Sequence, residues 1–384
     1  MKVLFSLDNY DHGTGGAEKV AQALARNLAA SGHEVRVLQI GEAAEREDRG
    51  VAVIGRPPMG GGIFPERNLT LLRQNAHWER YLAEEIRSRK PDMVVTQNYL
   101  APATVQVARD IGIPSVVLFH GYSSVCPIHF VGIDPLAGCD LVCLKCLSLG
   151  QKLRYRFIRK LAEAGRWALR SASLAIANSR YTRDVLGKLF DVRAEVLYPT
   201  MDLPEYRLGG GGDLAPERIL FSKPQQIKGV RIFLDVAAGM PEARFVVAGK
   251  ASRRIASALR GLKNVEHLGW VGDMRELYRG VSAVVGPSRL PEPFGRVFAE
   301  AAVNGIPSVA SRTGGIPEAV GEGGILLASD EKPERWMEAL RLVTDRERRE
   351  EYSRKALDGA ERLIEEGSYG RFREIAHSRL GLEV

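Results

Sequence analysis

The stretch Glu292-Pro293-Phe294-Gly295-Arg296-Val297-Phe298-Ala299-Glu300-Ala301-Ala302-Val303 follows a short apolar run that ends near Pro287-Ser288. Proline and glycine punctuate its first four residues, and small apolar residues fill the rest. Strand, loop and helix therefore succeed one another here. The same alternation runs outward in both directions. Before it come strand patterns at Lys2–Leu7, Glu34–Ile40, 93–96, 114–120, Leu174–Ala177 and 194–197. Helical patterns separate them at Gly16–Ala30, with Val20, Leu24 and Leu28 on one stripe, and at 68–89, 101–110, 153–171 and 181–189. A second series has strands at 218–221, Arg244–Ala248, 265–268, 283–285, 308–310 and 325–327, then a charged helical tail from Lys332. Such a rhythm predicts α/β architecture, with parallel sheets covered by helices on both faces.

The rhythm breaks at 202–216, which holds Pro204, Gly209, Gly210, Gly211, Gly212 and Pro216, a composition from which no element is expected. The reading is thus two doubly wound Rossmann-like domains: 1–203, a linker at 204–216, and 217–365, with a terminal helix at 366–384 expected to pack back toward the first domain. Ligands of such sheets lie outside the carboxyl ends of the strands, so a cleft between the domains is the expected site.

Composition narrows the class. The chain has 384 residues, 45% hydrophobic and 26% charged, which excludes a disordered chain, a collagen or a small disulfide scaffold. No apolar run approaches the ~20 residues that span a bilayer. Met1–Leu7 meets Asp8 at once and lacks a cleavage signature, so the expected location is the cytoplasm. The net charge of +7 is mild for this length, pointing to an anionic ligand or membrane surface rather than to nucleic acid.

Several residues carry chemistry. Gly13-Thr14-Gly15-Gly16 lies between the first strand and its helix, where backbone N–H groups can approach an anion; a tight turn is the plainer explanation. Glu292 sits on a loop and Glu300 inside the following helix. A carboxylate accepts two hydrogen bonds at once, which suits paired ribose hydroxyls, and the N–H groups of Phe294 and Gly295 suit phosphate or hydroxyl oxygens. Small apolar neighbours favour a buried, partnered Glu300 over an exposed one. His120 ends a strand with Gly121 behind it, a position for a site or for a structural histidine.

Glu292 through Glu300 match an E-x7-E motif, and the chain resembles the retaining GT-B glycosyltransferases of family 4. The resemblance extends through Asn264-Val265-Glu266-His267-Leu268-Gly269, Pro287-Ser288, Gly305-Ile306-Pro307 and Gly314-Gly315-Ile316-Pro317-Glu318. Gly15-Gly16-Ala17-Glu18, Gly32-His33-Glu34-Val35 and Ala177-Asn178-Ser179 fit as well, so it covers nearly the whole chain. It implies that Glu300 binds the donor ribose, Glu292 the transferred sugar, and Phe294 and Gly295 the sugar and diphosphate through their backbone. Lys228 would contact the diphosphate, Gly15 and Gly16 would close on the phosphates, and His120 would stand beside the transferred sugar. Where the family commonly has Gly-Arg, this chain reads Ser222-Lys223, so Lys223 is a weaker phosphate ligand without a guanidinium fork.

The implied activity is transfer of a sugar from a nucleotide diphosphate donor, UDP ahead of GDP, to a glycan, lipid-linked or small-molecule acceptor. Lys223, Lys228 and helix-start amides would stabilise the leaving group with no metal, since no D-x-D motif is present. A sugar-nucleotide epimerase of the same architecture and a non-catalytic nucleotide-sugar-binding protein are the rivals.

Two features stand apart. Cys126, Cys139, Cys143 and Cys146 are the only cysteines, spaced C-x12-C-x3-C-x2-C. Four thiolates could close a structural zinc or iron–sulfur site; four separately packed thiols is the other reading. The segment 152–170 holds seven basic residues against Glu163, with Leu153, Phe157 and Leu161 as an apolar stripe. Peripheral contact with the inner face of a membrane and a merely solvated helix face are both open.

Overall fold

Side chains of Lys2–Leu7 (β1) alternate between two cores: Val3, Phe5 and Leu7 enter one hydrophobic cluster, and Leu4 enters another on the opposite face. That period of two places an apolar residue on each face of a sheet buried on both sides. The computed structural model describes residues 1–10, 16–58, 67–126, 135–139, 152, 155–209 and 218–384. The chain forms two compact units. The first takes Met1–Phe130, Pro135–Met201 and Gly367–Val384, and the second is built from Asp202–Glu366.

The first unit is organised on a sheet of β1, β2 (Glu34–Ile40), β3 (Glu45–Asp48), β4 (Val51–Arg56), β5 (Met93–Gln97), β6 (Ser115–Phe119), β7 (Leu174–Ala177) and β8 (Ala194–Val196). Their order is β3-β4-β2-β1-β5-β6-β7-β8, parallel except where β3 pairs antiparallel with β4. The sequence reading contained neither β3 nor β4. The charged run Glu45-Arg46-Glu47-Asp48 hides β3, which is exposed at the sheet edge. Val51–Arg56 is apolar but short, and its neighbours carry no helical period to set it off.

One face of this sheet is covered by the helix Gly16–Ala30 and by the helix Tyr369–Leu380. Phe372, Ile375, Ala376 and Val384 are buried there together with Val3, Phe5, Val35 and Leu28. On the other face, Trp78, Leu82 and Ile86 of helix Arg67–Arg89 pack with Ala103 and Val107 of helix Ala101–Ile111. A buried polar network lies within it, where Trp78 Nε1 donates to Ser6 Oγ at 2.8 Å and Ser6 meets Thr104 at 2.7 Å.

The second unit has six described strands: β9 (Arg218–Ser222), β10 (Arg244–Ala248), β11 (Val265–Gly269), β12 (Val281–Gly286), β13 (Ser308–Ser311) and β14 (Gly324–Leu327). They run parallel in the order β11-β10-β9-β12-β13-β14. The order reverses between β9 and β12, the position at which ligands of such sheets bind. Phe221, Phe233 and Phe245 form its aromatic core, with Phe221 and Phe233 stacked at 4.3 Å. Asn264 is structural: its amide donates to the carbonyls of Ala237, Met240 and Ala243 at 2.9–3.2 Å.

The expectation of no element in 202–216 needs correction at its start. Leu203–Tyr206 form a 3-10 turn with Leu203 and Tyr206 buried. Asn304 pins it, accepting from the Leu208 N–H at 2.8 Å and donating to the Tyr206 carbonyl at 3.0 Å. Pro204 is no obstacle, because it occupies the first turn, where the N–H that proline lacks would have had no partner. Positions 210–217 lie outside the described residues. Among the described residues no helix is long and apolar enough to cross a membrane.

Candidate active site

At the carboxyl end of β9 the chain turns through Ser222, Lys223 and Pro224 and then a 3-10 turn at Gln226–Lys228. At the carboxyl end of β12 it continues through Pro287 and Ser288 to Glu292 and the helix Arg296–Ala302. These two loops are tied together. The N–H groups of Arg289 and Leu290 both donate to the Ile227 carbonyl, at 2.9 and 3.1 Å. Gly229 makes the approach feasible: its φ is +77°, and a Cβ there would lie 1.8 Å from the Pro287 carbonyl oxygen.

The consequence is a direct meeting of two residues 64 positions apart. Lys228 Nζ lies 2.8 Å from Glu292 Oε2, with both side chains largely buried. They line a cavity of about 100 Å³ with Lys223, Ser222, Ser288, Arg296 and Val297. Lys223 holds a left-handed backbone conformation, φ +53°, with its N–H bound to the Ala248 carbonyl at 2.7 Å. The Glu292 backbone is held from below. Gly315 donates its N–H to the Glu292 carbonyl at 2.7 Å, and a Cβ on Gly314 would fall 2.3 Å from the same oxygen. That explains the paired glycines of Gly314-Gly315-Ile316-Pro317-Glu318: this loop must lie flat against the Glu292 backbone.

Phe294 is buried, and Gly295, at φ +102°, opens the helix that carries Glu300. Glu300 is 8% exposed and lies outside the lining of the cavity. Both of its carboxylate oxygens are engaged. Tyr278 Oη donates to Oε2 at 2.9 Å, and Arg296 Nε donates to Oε1 at 3.2 Å. Arg296 also grips Asp202 with two parallel bonds, Nη1 to Oδ1 and Nη2 to Oδ2, each 2.9 Å. Burial works against the Arg296 charge, but Asp202 and Glu300 outweigh it and make the guanidinium more basic than usual. Burial and then Glu300 push the Tyr278 hydroxyl well above its ordinary range, so it stays a donor.

Arg296, Tyr278 and Asp202 were not singled out in the sequence. Arg296 was legible in principle, standing four residues before Glu300 on one helix face. Tyr278 and Asp202 come from other elements and leave no local signal.

The remaining residues belong to the first unit. His120 follows β6 at its carboxyl end, and its carbonyl accepts from Asn178 Nδ2 at 3.4 Å. Asp8 follows β1, and its carboxylate accepts the Tyr99 N–H at 3.3 Å. Burial raises the Asp8 carboxyl to about 7, against the lowering pull of the Tyr99 N–H. Gly16 begins the first helix, and Gly15 lies outside the described residues. Cys126 is buried in an apolar cluster with Val125 and Leu169, and Cys139 packs against that cluster. Cys143 and Cys146 lie outside the described residues. Among the described residues no three His, Cys, Asp or Glu side chains gather as a metal site needs. In the basic helix, described from Tyr155 to Ser171, Arg159 pairs with Glu163 at 2.6 Å and Arg166 donates to the Val125 carbonyl at 3.0 Å.

Comparison with known proteins adds three findings. A family model described as Glycosyltransferase Family 4 matches residues 14–204, and one described as Glycosyl transferases group 1 matches 218–345. D-inositol 3-phosphate glycosyltransferases of Mycobacterium bovis and Mycobacterium tuberculosis are 31% identical over 171 residues. That match covers 38% of this chain and 35% of the relatives' length. Among solved structures, Anabaena HepE in complex with UDP and glucose superposes over the full length of both chains, with TM-score 0.69 and 19% identity. Sucrose-phosphate synthase from Thermosynechococcus elongatus gives TM-score 0.71 at 15% identity, over 99% of this chain and 100% of that one. At these identities the likeness is one of fold.

Proposed function

Because this chain belongs to glycosyltransferase family 4 and has the GT-B fold, we propose that it transfers a sugar from a nucleoside diphosphate donor to an acceptor hydroxyl, with retention of anomeric configuration. The observation that carries this reading is the Lys228–Glu292 pair beside Lys223, lining one cavity at the reversal point of the second sheet.

Lys228 and Glu292 balance each other's charge. A donor diphosphate brings negative charge to Lys228 and Lys223, and frees Glu292 to accept hydrogen bonds from hydroxyls of the sugar. The anomeric carbon–oxygen bond breaks, charge grows on the departing phosphate, and the two ammonium groups oppose it. The acceptor oxygen attacks from the face the diphosphate leaves, and its proton passes to a departing phosphate oxygen. The family resemblance assigns backbone N–H groups of Phe294 and Gly295 as further donors, and assigns His120 to the same step. No divalent ion is part of this scheme. Uridine is the favoured base, supported by the UDP bound in the structurally similar Anabaena protein.

Isothermal titration with UDP-sugars and GDP-sugars tests the reading. Binding of one donor class, with transfer that persists in EDTA, is the expected result. Failure of every nucleoside diphosphate to bind would remove it. A structural metal at Cys126, Cys139, Cys143 and Cys146 is a separate part of the proposal. It predicts close to one equivalent of zinc, or an iron cluster, on elemental analysis; neither metal, with four titratable thiols in denaturant, refutes it.

A further inference from the structure

A carboxylate that chelates two neighbouring hydroxyls must hold one orientation and stay ionised. Glu300 is placed on a helix of seven residues, Arg296–Ala302. Two groups fix its side-chain torsions, one from the preceding turn of the same helix and one from another element. The hydroxyl of Tyr278, at the end of the short helix before β12, binds one oxygen, and the guanidinium of Arg296 binds the other. A carboxylate has about four lone-pair sites, two on each oxygen. Tyr278 occupies one on Oε2, and Arg296 holds Oε1 through Nε with Nη2 also 3.2 Å away, which locks the carboxylate plane and leaves acceptor capacity chiefly on Oε2.

The two holders are themselves held. Tyr278 is among the most deeply buried side chains of the molecule, 1% exposed. Arg296 is fixed at its far end by the forked pair with Asp202, while the guanidinium carbon lies 5.8 Å from the centroid of the Tyr206 ring. Its planar fork satisfies two carboxylates at once, which a lysine ammonium could not do with the same geometry. A single cation shared by two carboxylates leaves the cluster short of one positive charge. Glu300 therefore retains acceptor strength toward an incoming hydroxyl.

We propose that Tyr278 and Arg296 are positioning residues that orient Glu300 to chelate the vicinal hydroxyls of the donor ribose. The proposal rests on the reading of Glu300 as a donor ligand. It assigns to the Tyr278–Glu300–Arg296–Asp202 chain the recognition of a ribose rather than a deoxyribose donor.

The test is the ratio of affinities for UDP and 2′,3′-dideoxy-UDP, measured by calorimetry, with the corresponding guanine pair alongside. The variants are Tyr278→Phe, Arg296→Lys and Glu300→Gln, each with a thermal melt. Tyr278→Phe removes one hydroxyl at constant shape, and Arg296→Lys keeps the charge and loses the fork. Wild type should prefer the ribose ligand by about tenfold or more. Both positioning variants should cut that preference by about threefold or more, with dideoxy-UDP affinity nearly unchanged. A merely structural role would weaken both ligands alike and leave the ratio where it was. If Glu300→Gln collapses the ratio while Tyr278→Phe and Arg296→Lys leave it intact, positioning is overturned and the donor role of Glu300 stands. If wild type shows no preference, or Glu300→Gln does not change it, the ribose role fails and the positioning role fails with it.

Discussion

Lys228 shows how much a residue's meaning depends on its partner. Read alone it is one lysine among many, but at 2.8 Å from Glu292 and beside Lys223 it lines a cavity with a composition suited to an anion. Truncating it should act mainly as the leaving group departs, when phosphate charge is largest. Lys228→Ala should therefore lower kcat by ~3 kcal/mol of barrier, with a smaller effect on the dissociation constant of the intact donor. Steady-state kinetics beside direct donor titration would check this, and equal losses in both would contradict it. Asp8 supports a prediction of a different kind. Its folded carboxyl titrates near 7, against an ordinary value of 3.8. Well below pH 3.8 it is protonated in both states and its burial carries no charge. As pH rises toward 7, the unfolded chain releases this proton while the folded chain keeps it, so this contribution to stability declines and then levels off. Urea unfolding at pH 5 and pH 8 should show that decline, on the order of 2–4 kcal/mol at most, and Asp8→Asn should flatten it. A wild-type slope unchanged in Asp8→Asn would assign it to other groups.

Among the elements, the loop carrying Lys228 and the loop carrying Glu292 depend on one tight approach. Gly229→Ala would put a methyl 1.8 Å from the Pro287 carbonyl and strain a φ of +77°. The approach must open, and the Ile227 bonds to Arg289 and Leu290 open with it. A loss of ~2–4 kcal/mol in unfolding free energy, with weakened donor binding, is expected from denaturant titration. Alternation of strand and helix, the strand positions of the second sheet and the buried, partnered Glu300 were all legible in the sequence, because period and neighbours encode them locally. The Glu45–Asp48 edge strand was not, since an exposed edge can be built from charged residues. Neither was Tyr278 against Glu300, a pairing made only when separate elements pack. The 3-10 turn at Leu203–Tyr206 escaped for a similar reason: Asn304, a hundred residues on, is what pins it.

For the whole molecule, the last helix matters most. Phe372, Ile375, Ala376 and Val384 fill a face of the first sheet, although the second unit intervenes in sequence. Phe372 is fully buried beside residues from β1 and β2. Removing 367–384 should uncover that face, losing burial worth ~2 kcal/mol or more for each large side chain. Differential scanning calorimetry of such a truncation should show the transition of the first unit lowered or lost, with that of the second largely retained. Parallel lowering of both, or of neither, would contradict the packing described.

Synthesis of this chain therefore delivers its parts out of order. Residues 1–201 leave the ribosome before the side chains that close their core exist, and at typical translation rates roughly ten to thirty seconds separate residue 201 from Phe372. During that interval an apolar face of a parallel sheet is open while Asp202–Glu366 is being made, its last residue only six before Phe372. The nascent first unit is therefore the natural client for a chaperone, and the two units are completed almost together although the first begins 201 residues earlier.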